Sequence, residues 1–154
     1  MSRVQLALNV DDIDEAVIFY SALFGTKPAK QRPGYANFAI AEPPMKLVLL
    51  ENRGRGGTLN HLGVEVSTVE AVDAERTRLA QAGLASTEER GTTCCYAKQD
   101  KFWVQGSPGG ERWEVYTVLA DSATFADAEG PECCADSDAA GGALPATAKA
   151  STCC

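Results

Sequence analysis

Residues 59–66 of the chain read Leu59-Asn-His-Leu-Gly-Val-Glu-Val66, a stretch in which apolar side chains alternate with others. Residues 3–10, Arg-Val-Gln-Leu-Ala-Leu-Asn-Val, alternate in the same way. Alternation with a period of two is typical of a β-strand. Laying the first stretch over the second places Gln5 on His61, an offset of 56 residues. This offset is too long for a solenoid repeat, and it predicts a duplicated structural module.

The order of elements after each of these strands supports a duplication. A helical pattern begins at Asp11 or Asp12 and stops at Gly25, and a second runs from Val69 to a stop at Gly83. Short strand patterns follow each helix. They cover residues 28–32, 35–41 and 46–51 in the first half, and residues 85–90, 94–99, 101–105 and 111–118 in the second. The first half predicts the order β-α-β-β-β, and we interpret the second half, with its one additional short strand pattern, as the same order.

The composition changes after residue 120. The net charge of the chain is −7. Residues 121–154 hold six acidic residues and one lysine, and they are rich in Ala, Asp, Ser, Gly and Pro. Such a segment buries too little apolar surface to fold by itself. We therefore predict a folded domain over residues 1–120, with modules at about 1–54 and 55–120, and an acidic disordered tail over 121–154.

Charge and hydropathy also exclude some classes of function. The chain shows no basic patch with interleaved aromatic residues, which argues against a nucleic-acid partner. It shows neither a signal peptide nor an apolar run long enough to span a membrane. The expected location is the cytoplasm, where thiols stay reduced.

All six cysteines occur in adjacent pairs, at Cys94-Cys95, Cys133-Cys134 and Cys153-Cys154. Adjacent cysteines do not easily form a disulfide, because the small ring strains the peptide between them. Two neighbouring thiolates can instead hold one soft atom, such as trivalent arsenic, cadmium, zinc or copper(I). The alternative is that they are small buried hydrophobic residues. Three pairs in one chain favour a metal-binding or metalloid-binding role.

The duplicated module resembles the vicinal-oxygen-chelate superfamily, which includes glyoxalase I, bleomycin-resistance proteins and extradiol dioxygenases. This resemblance implies an α+β fold in which two βαβββ modules form a cupped, mixed, mostly antiparallel sheet around one metal. In that superfamily the metal ligands come from the first and last strands of each module. The first-strand positions hold Gln5 and His61, and alignment of residues 46–49 with residues 112–115 sets Val48 opposite Glu114.

The resemblance therefore implies a metal site with Gln5, His61 and Glu114 as ligands. Three ligands on one face leave open positions for oxygen and substrate, as in the two-histidine, one-carboxylate iron(II) oxygenases. The neutral amide of Gln5 is a weaker ligand than the usual second histidine, although glyoxalase I also has glutamine there. A histidine in a strand can also be an ordinary core residue, but its register with Gln5 favours a ligand. A glyoxalase-type isomerase is disfavoured because the fourth position is the apolar Val48.

One branch of the superfamily resembles this chain from residue 1 to about residue 120. It comprises the organoarsenical carbon–arsenic lyases and the similar cadmium-induced proteins, and its most specific motif is Thr-Cys-Cys-Tyr-Ala at residues 93–97. The resemblance implies that Cys94 and Cys95 hold a trivalent organoarsenical, methyl or aryl. Iron(II) with dioxygen would cleave its carbon–arsenic bond and release arsenite.

The same resemblance leaves a second function open, that of a non-catalytic protein sequestering cadmium or arsenic through its thiolates. Under either function the tail cysteines are expected to capture or hand over thiophilic ions; they are Cys133, Cys134, Cys153 and Cys154. The sequence is compatible with a monomer or a homodimer.

Overall fold

A computed structural model describes residues 2–127 of the chain. Most of the predicted acidic tail, including its cysteine pairs at 133–134 and 153–154, lies outside the described residues. The described part holds eight strands and two helices: β1 (Arg3–Val10), α1 (Ile13–Phe24), β2 (Lys30–Arg32), β3 (Tyr35–Ile40), β4 (Met45–Glu51), β5 (Leu59–Glu65), α2 (Val69–Gln81), β6 (Ser86–Cys94), β7 (Ala97–Val104) and β8 (Trp113–Asp121). The predicted duplication of a β-α-β-β-β module is confirmed.

All eight strands form one curled sheet in the order β2-β3-β4-β1-β5-β8-β7-β6. Within each module the first and last strands are parallel neighbours, β1 with β4 and β5 with β8. The two modules join through the antiparallel pair β1 and β5, and the remaining pairs are antiparallel as well. The mixed, mostly antiparallel sheet is therefore confirmed, with the two first strands at its centre.

Both helices begin and end at residues that favour those boundaries. Asp12 caps α1, because its Oδ1 accepts hydrogen bonds of 2.9 Å from the backbone amides of Asp14 and Glu15. Gly25 follows the helix in the left-handed conformation, with φ of 62°. Thr68 caps α2 in the same way, through a 3.2 Å bond from the amide of Ala71.

The alternation in β1 divides its side chains between two different environments. Leu6, Leu8 and Val10 pack against α1 in an apolar core. Gln5, Ala7 and Asn9 lie on the opposite face and are all buried. Burial of a polar side chain costs free energy unless the side chain is hydrogen-bonded. The burial of these polar or small side chains on the face away from the helices therefore indicates a functional surface.

The predicted separate strands at 94–99 and 101–105 are wrong. β6 runs to Cys94 and β7 is continuous from Ala97, so Cys95 and Tyr96 form the two-residue turn between them. Both turn residues have positive φ, 56° for Cys95 and 60° for Tyr96. Such hairpin turns normally contain Asn or Gly, and a Cys-Tyr pair gives no turn signal in the sequence.

The segment 121–127, which composition assigns to the tail, contacts the tip of this hairpin. The amide of Ser122 donates to the carbonyl of Tyr96 at 2.9 Å, and Ala126 forms a β-bridge with Cys94. The carboxylate of Asp127 accepts a 2.8 Å bond from the amide of Thr93. The predicted boundary at residue 120 therefore lies before the last contacts of the described chain. None of the helices within residues 2–127 is long and apolar enough to cross a membrane.

Candidate active site

Gln5, His61 and Glu114 meet on the face of the sheet opposite the helices. Gln5 Nε2 lies 2.9 Å from His61 Nε2 and 2.8 Å from Glu114 Oε1. His61 Nε2 and Glu114 Oε1 are 3.3 Å apart. The three residues are only 3–4% exposed. The structure thus brings together three side chains, of which Gln5 and Glu114 lie 109 residues apart in the sequence.

The strand register explains this meeting. Gln5 lies opposite Gly63, and Gly63 lies opposite Glu114, so Gln5 and Glu114 approach each other across β5. A Cβ atom at Gly63 would lie 3.2 Å from Glu114 Cγ and 3.3 Å from Gln5 Cβ. Gly63 therefore keeps open the space in which the two side chains meet, a role that sequence reasoning missed.

The orientation of His61 is set by a chain of amides. His61 Nδ1 lies 2.6 Å from Asn60 Oδ1, which can only accept a hydrogen bond. Asn60 in turn donates to Asn9 Oδ1 at 3.0 Å, and Asn9 donates to the hydroxyl of Thr58 at 2.9 Å. Nδ1 therefore carries the proton, and the lone pair of Nε2 faces the centre. This is the state in which histidine binds a metal.

Glu114 is held ionised by a buried lysine. Lys101 is 1% exposed, and its ammonium lies 3.3 Å from Glu114 Oε2. Burial raises the pKa of Glu114, but the charge of Lys101 and the contacts with His61 outweigh it and hold that pKa well below the usual range. Burial lowers the pKa of Lys101, but the charge of Glu114 outweighs it and raises that pKa above its usual value. Glu114 thus turns Oε2 to Lys101 and Oε1 to the centre.

The spacing of the three central atoms matches that of ligands around a first-row metal ion, with the amide oxygen of Gln5 required in the place that Nε2 occupies here. Ligands at right angles with bonds of about 2.1 Å lie roughly 3 Å apart, close to the separations of 2.8 to 3.3 Å observed here. An imidazole, a carboxylate and an amide suit iron(II), manganese(II) or a similar ion. Within residues 2–127 no cluster of three His, Cys, Asp or Glu side chains could hold a metal. A metal ion bound here would therefore need the Gln5 amide as its third ligand.

Val48, the apolar residue at the fourth ligand position, lies where the alignment of the two modules places it. Val48 in β4 pairs with Ala7, and Glu114 in β8 pairs with Gly63. Ala7 and Gly63 each lie two residues beyond Gln5 and His61 in their own strands. Val48 is 3% exposed and lines the same cavity as the three polar residues. A metal held here would have an apolar side chain at one side.

One cavity of about 330 Å³ joins the polar centre to the thiol pair. Gln5, His61 and Glu114 line it together with Cys94 and Cys95. This volume lies at the small end of the range for ligand sites. A small molecule held by the thiols would therefore lie in the same cavity as the three candidate ligands.

The two thiols lie side by side at the hairpin tip. Cys94 Sγ and Cys95 Sγ are 3.4 Å apart, with Cys94 3% exposed and Cys95 half-buried. Positive φ in a residue other than glycine costs on the order of 1–3 kcal/mol, and such residues cluster at functional sites. Without the positive φ of Cys95, the strand alternation would direct the second thiol to the opposite face of the sheet.

Contacts from distant parts of the chain stabilise this strained turn. The Lys30 ammonium donates to the carbonyl of Tyr96 at 2.9 Å, alongside the bond from Ser122. The ring of Tyr96 contacts those of Tyr35 and Phe125, with centroids 5.4 and 5.5 Å away. The first module and the segment 121–127 therefore both hold the hairpin tip in place.

Five of the candidate site residues predicted from the sequence line one cavity. The other four lie outside the described residues; they are Cys133, Cys134, Cys153 and Cys154. Sequence reasoning missed Lys101, Asn60 and Tyr116. A signal existed for Lys101, because a strand pattern sets it on the same face as Gln99 and Trp103. The metal-binding and substrate-binding roles of the gathered residues stay predictions.

Comparisons with known proteins agree on the family that this chain resembles. The model of the Glyoxalase/Bleomycin resistance protein/Dioxygenase superfamily matches residues 3–115. The cadmium-induced protein CadI of Mycobacterium tuberculosis is 65% identical over 143 residues, which cover 87% of this chain and 93% of that protein. A trivalent organoarsenical cleaving enzyme of Thermomonospora curvata is 58% identical over 149 residues, which cover 95% of this chain and 98% of that protein.

Similar solved structures share the fold at low sequence identity. The Mn(II)-bound glyoxalase of Novosphingobium aromaticivorans aligns with a TM-score of 0.56 and 22% identity, over 84% of this chain and 44% of the glyoxalase chain. At this identity the likeness shows the fold alone.

Proposed function

The chain belongs to the Glyoxalase/Bleomycin resistance protein/Dioxygenase superfamily, and from that premise we propose that it is an enzyme cleaving the carbon–arsenic bond of trivalent organoarsenicals. Iron(II) at Gln5, His61 and Glu114 is the proposed cofactor, and dioxygen the co-substrate. The relative from Thermomonospora curvata, whose name carries this activity, supports the substrate class. The observation that carries the proposal is the single cavity shared by the three candidate ligands and the thiol pair.

The thiol pair is the proposed substrate-binding site. An organoarsenical R–As(OH)2 exchanges both hydroxyl groups for the sulfur atoms of Cys94 and Cys95, and each exchange releases one water. Of its original substituents, arsenic then keeps only the R group, which the hairpin tip presents to the cavity. Because the Sγ atoms already lie 3.4 Å apart, little rearrangement is needed to bind one arsenic. Positioning of this kind replaces a bimolecular encounter with an intramolecular one.

The polar centre is the proposed place of oxygen chemistry. Iron(II) held there would supply open coordination positions at which dioxygen is activated. The protein's contribution is to fix the ligands: Asn60 holds the His61 ring, and Lys101 holds the Glu114 carboxylate. Val48 adds an apolar wall. Both thiols must be reduced, as expected in the cytosol.

The proposed reaction balances without an added reductant. For a methyl substituent, one methylarsonous acid and one dioxygen give one arsenous acid and one formaldehyde. The carbon–arsenic bond breaks, arsenic stays trivalent, and both oxygen atoms enter the products. The electrons that carbon loses are those that dioxygen gains. Arsenic then carries one hydroxyl group and two sulfur bonds. Two water molecules replace the two sulfur atoms, which releases arsenous acid and restores both thiols.

A second candidate function is sequestration of cadmium or arsenic without catalysis, and the relative named as cadmium-induced favours it. The paired thiols and the cysteines at 133–134 and 153–154 would serve that function equally well. Sequestration alone, however, does not require the three converging side chains next to the thiol pair. This difference favours the enzyme.

Oxygen uptake separates the two candidates. Protein reconstituted with iron(II) should consume dioxygen when methylarsonous acid is added, because the substrate has a carbon–arsenic bond to oxidise. Arsenite, which binds thiols but lacks that bond, is the matched control and should give no uptake above the background. Binding of methylarsonous acid without any oxygen uptake would support sequestration and contradict the enzyme.

A further inference from the structure

Tyr116 makes more contacts than its single hydroxyl hydrogen can satisfy. Its oxygen lies 2.6 Å from Gln5 Oε1 and 2.8 Å from Glu65 Oε2, and both of these atoms are acceptors. It also accepts a 3.0 Å bond from the Lys46 ammonium. A hydroxyl carries one donor and two acceptor positions. Tyr116 can therefore donate to Gln5 or to Glu65, but not to both.

The salt bridges around Glu65 favour donation to the carboxylate. Glu65 Oε2 accepts a 3.0 Å bond from Lys46, and Glu65 Oε1 lies 3.0 Å from Arg3. These two cations keep Glu65 an ionised acceptor beside the hydroxyl. Hydrogen bonds to a charged group are stronger than those between neutral groups. Donation from Tyr116 to Glu65 leaves a lone pair of the hydroxyl facing the end of the Gln5 amide.

Two orientations of the Gln5 amide then satisfy different states of the site. In the structure its NH2 group donates to His61 and Glu114, an arrangement that suits a site without metal. The opposite orientation directs NH2 to the lone pair of Tyr116 and the amide oxygen to the centre. The centre then holds an imidazole lone pair and two oxygen acceptors, which require a cation among them.

We propose that Tyr116, anchored by Lys46 and Glu65, is the positioning residue that turns the Gln5 amide oxygen toward the centre and so makes Gln5 a metal ligand. In this state the hydroxyl accepts from Gln5 and Lys46 and donates to Glu65, so its donor and both of its acceptor positions are used. The inference rests on the metal centre of the proposed function. It adds that a network beyond the ligands determines metal affinity.

Mn(II) binding tests this role without reference to activity. Mn(II) is a suitable probe because it prefers oxygen and imidazole ligands to thiolates, and its binding can be measured by electron paramagnetic resonance. Tyr116→Phe should raise the Kd for Mn(II) by about 10- to 100-fold, the usual cost of losing such a supporting contact. Tyr20→Phe, which removes a tyrosine hydroxyl on α1, is the matched control and should leave the Kd unchanged.

A second background separates positioning from a general structural role. Gln5→Glu has an oxygen at both ends of the side chain, so its orientation no longer matters. Tyr116→Phe should therefore lose most of its effect on the Kd in that background. An equal effect in both backgrounds, or an unchanged Kd in the single variant, would overturn the inference. Failure of the wild-type protein to bind Mn(II) would instead contradict the proposed metal centre.

Glu65→Gln provides an independent variant if Tyr116→Phe does not fold. Its amide can donate to Tyr116, which frees the hydroxyl hydrogen for the Gln5 oxygen and favours the metal-free orientation. The Kd for Mn(II) should therefore rise although the tyrosine is intact. An unchanged Kd in folded Glu65→Gln would count against the network.

Discussion

Replacing either Cys94 or Cys95 with serine is expected to remove nearly all cleavage of methylarsonous acid, by at least about 100-fold in kcat/KM. Two sulfur bonds fix arsenic at the hairpin tip, and one remaining thiolate would let the methyl group rotate away from the candidate metal site. Misplacement of a reacting group by about 1 Å already costs on the order of 100-fold. Serine is close to cysteine in size, so the buried tip should keep its packing.

The double variant should be little worse than either single variant, because residues that act as one unit give non-additive losses. The measurement is steady-state oxygen consumption at several substrate concentrations, with thiols kept reduced. Near-normal turnover in Cys95→Ser would contradict the two-thiolate chelate.

The cysteines at 133–134 and 153–154 supply the matched control. Serine variants there should weaken substrate capture at low concentration and spare turnover at saturation, since the proposed role of these pairs is auxiliary. Loss of saturating turnover in these variants would assign them a role in the reaction itself.

Replacing the single histidine, His61→Ala, is expected to reduce turnover below detection while leaving arsenic bound. The change removes the imidazole that faces Gln5 and Glu114 and so disrupts the candidate metal site. The thiol pair should remain in place, because Lys30 and Tyr35 hold its hairpin from the other module.

Arsenic binding is best measured by equilibrium dialysis in a background where the four cysteines beyond residue 130 are serine. That background should bind one methylarsonous acid per chain with or without His61. Glu114→Gln should reproduce the loss of turnover through a different ligand. Simultaneous loss of turnover and of arsenic binding in folded His61→Ala would contradict the division into two sites.

The duplicated module and the equivalent positions of Gln5 and His61 could be predicted from local alternation and one internal register, whereas their meeting was implied by the resemblance to a known superfamily. Glu114 required the resemblance to a known superfamily as well. The register of the sheet reproduces that alignment, since Val48 and Glu114 occupy equivalent positions in the two modules.

The thiol turn could not be predicted, because its conformation depends on tertiary contacts. Cys95 and Tyr96 carry no turn signal, and the contacts from Lys30 and Phe125 that stabilise their positive φ come from distant parts of the sequence. Lys101 was missed although its strand pattern sets it on the same face as Gln99 and Trp103. Lysine is rarely fully buried, and the carboxylates of Glu114 and Glu89 make the burial of Lys101 favourable.

The balance of products tests the central claim most directly. Wild-type protein reconstituted with iron(II) and supplied with methylarsonous acid should yield formaldehyde and arsenite in equal amounts, each matching the dioxygen consumed. Recovery of the methylarsonous acid unchanged from the protein, or release of arsenite without consumption of dioxygen, would contradict the account.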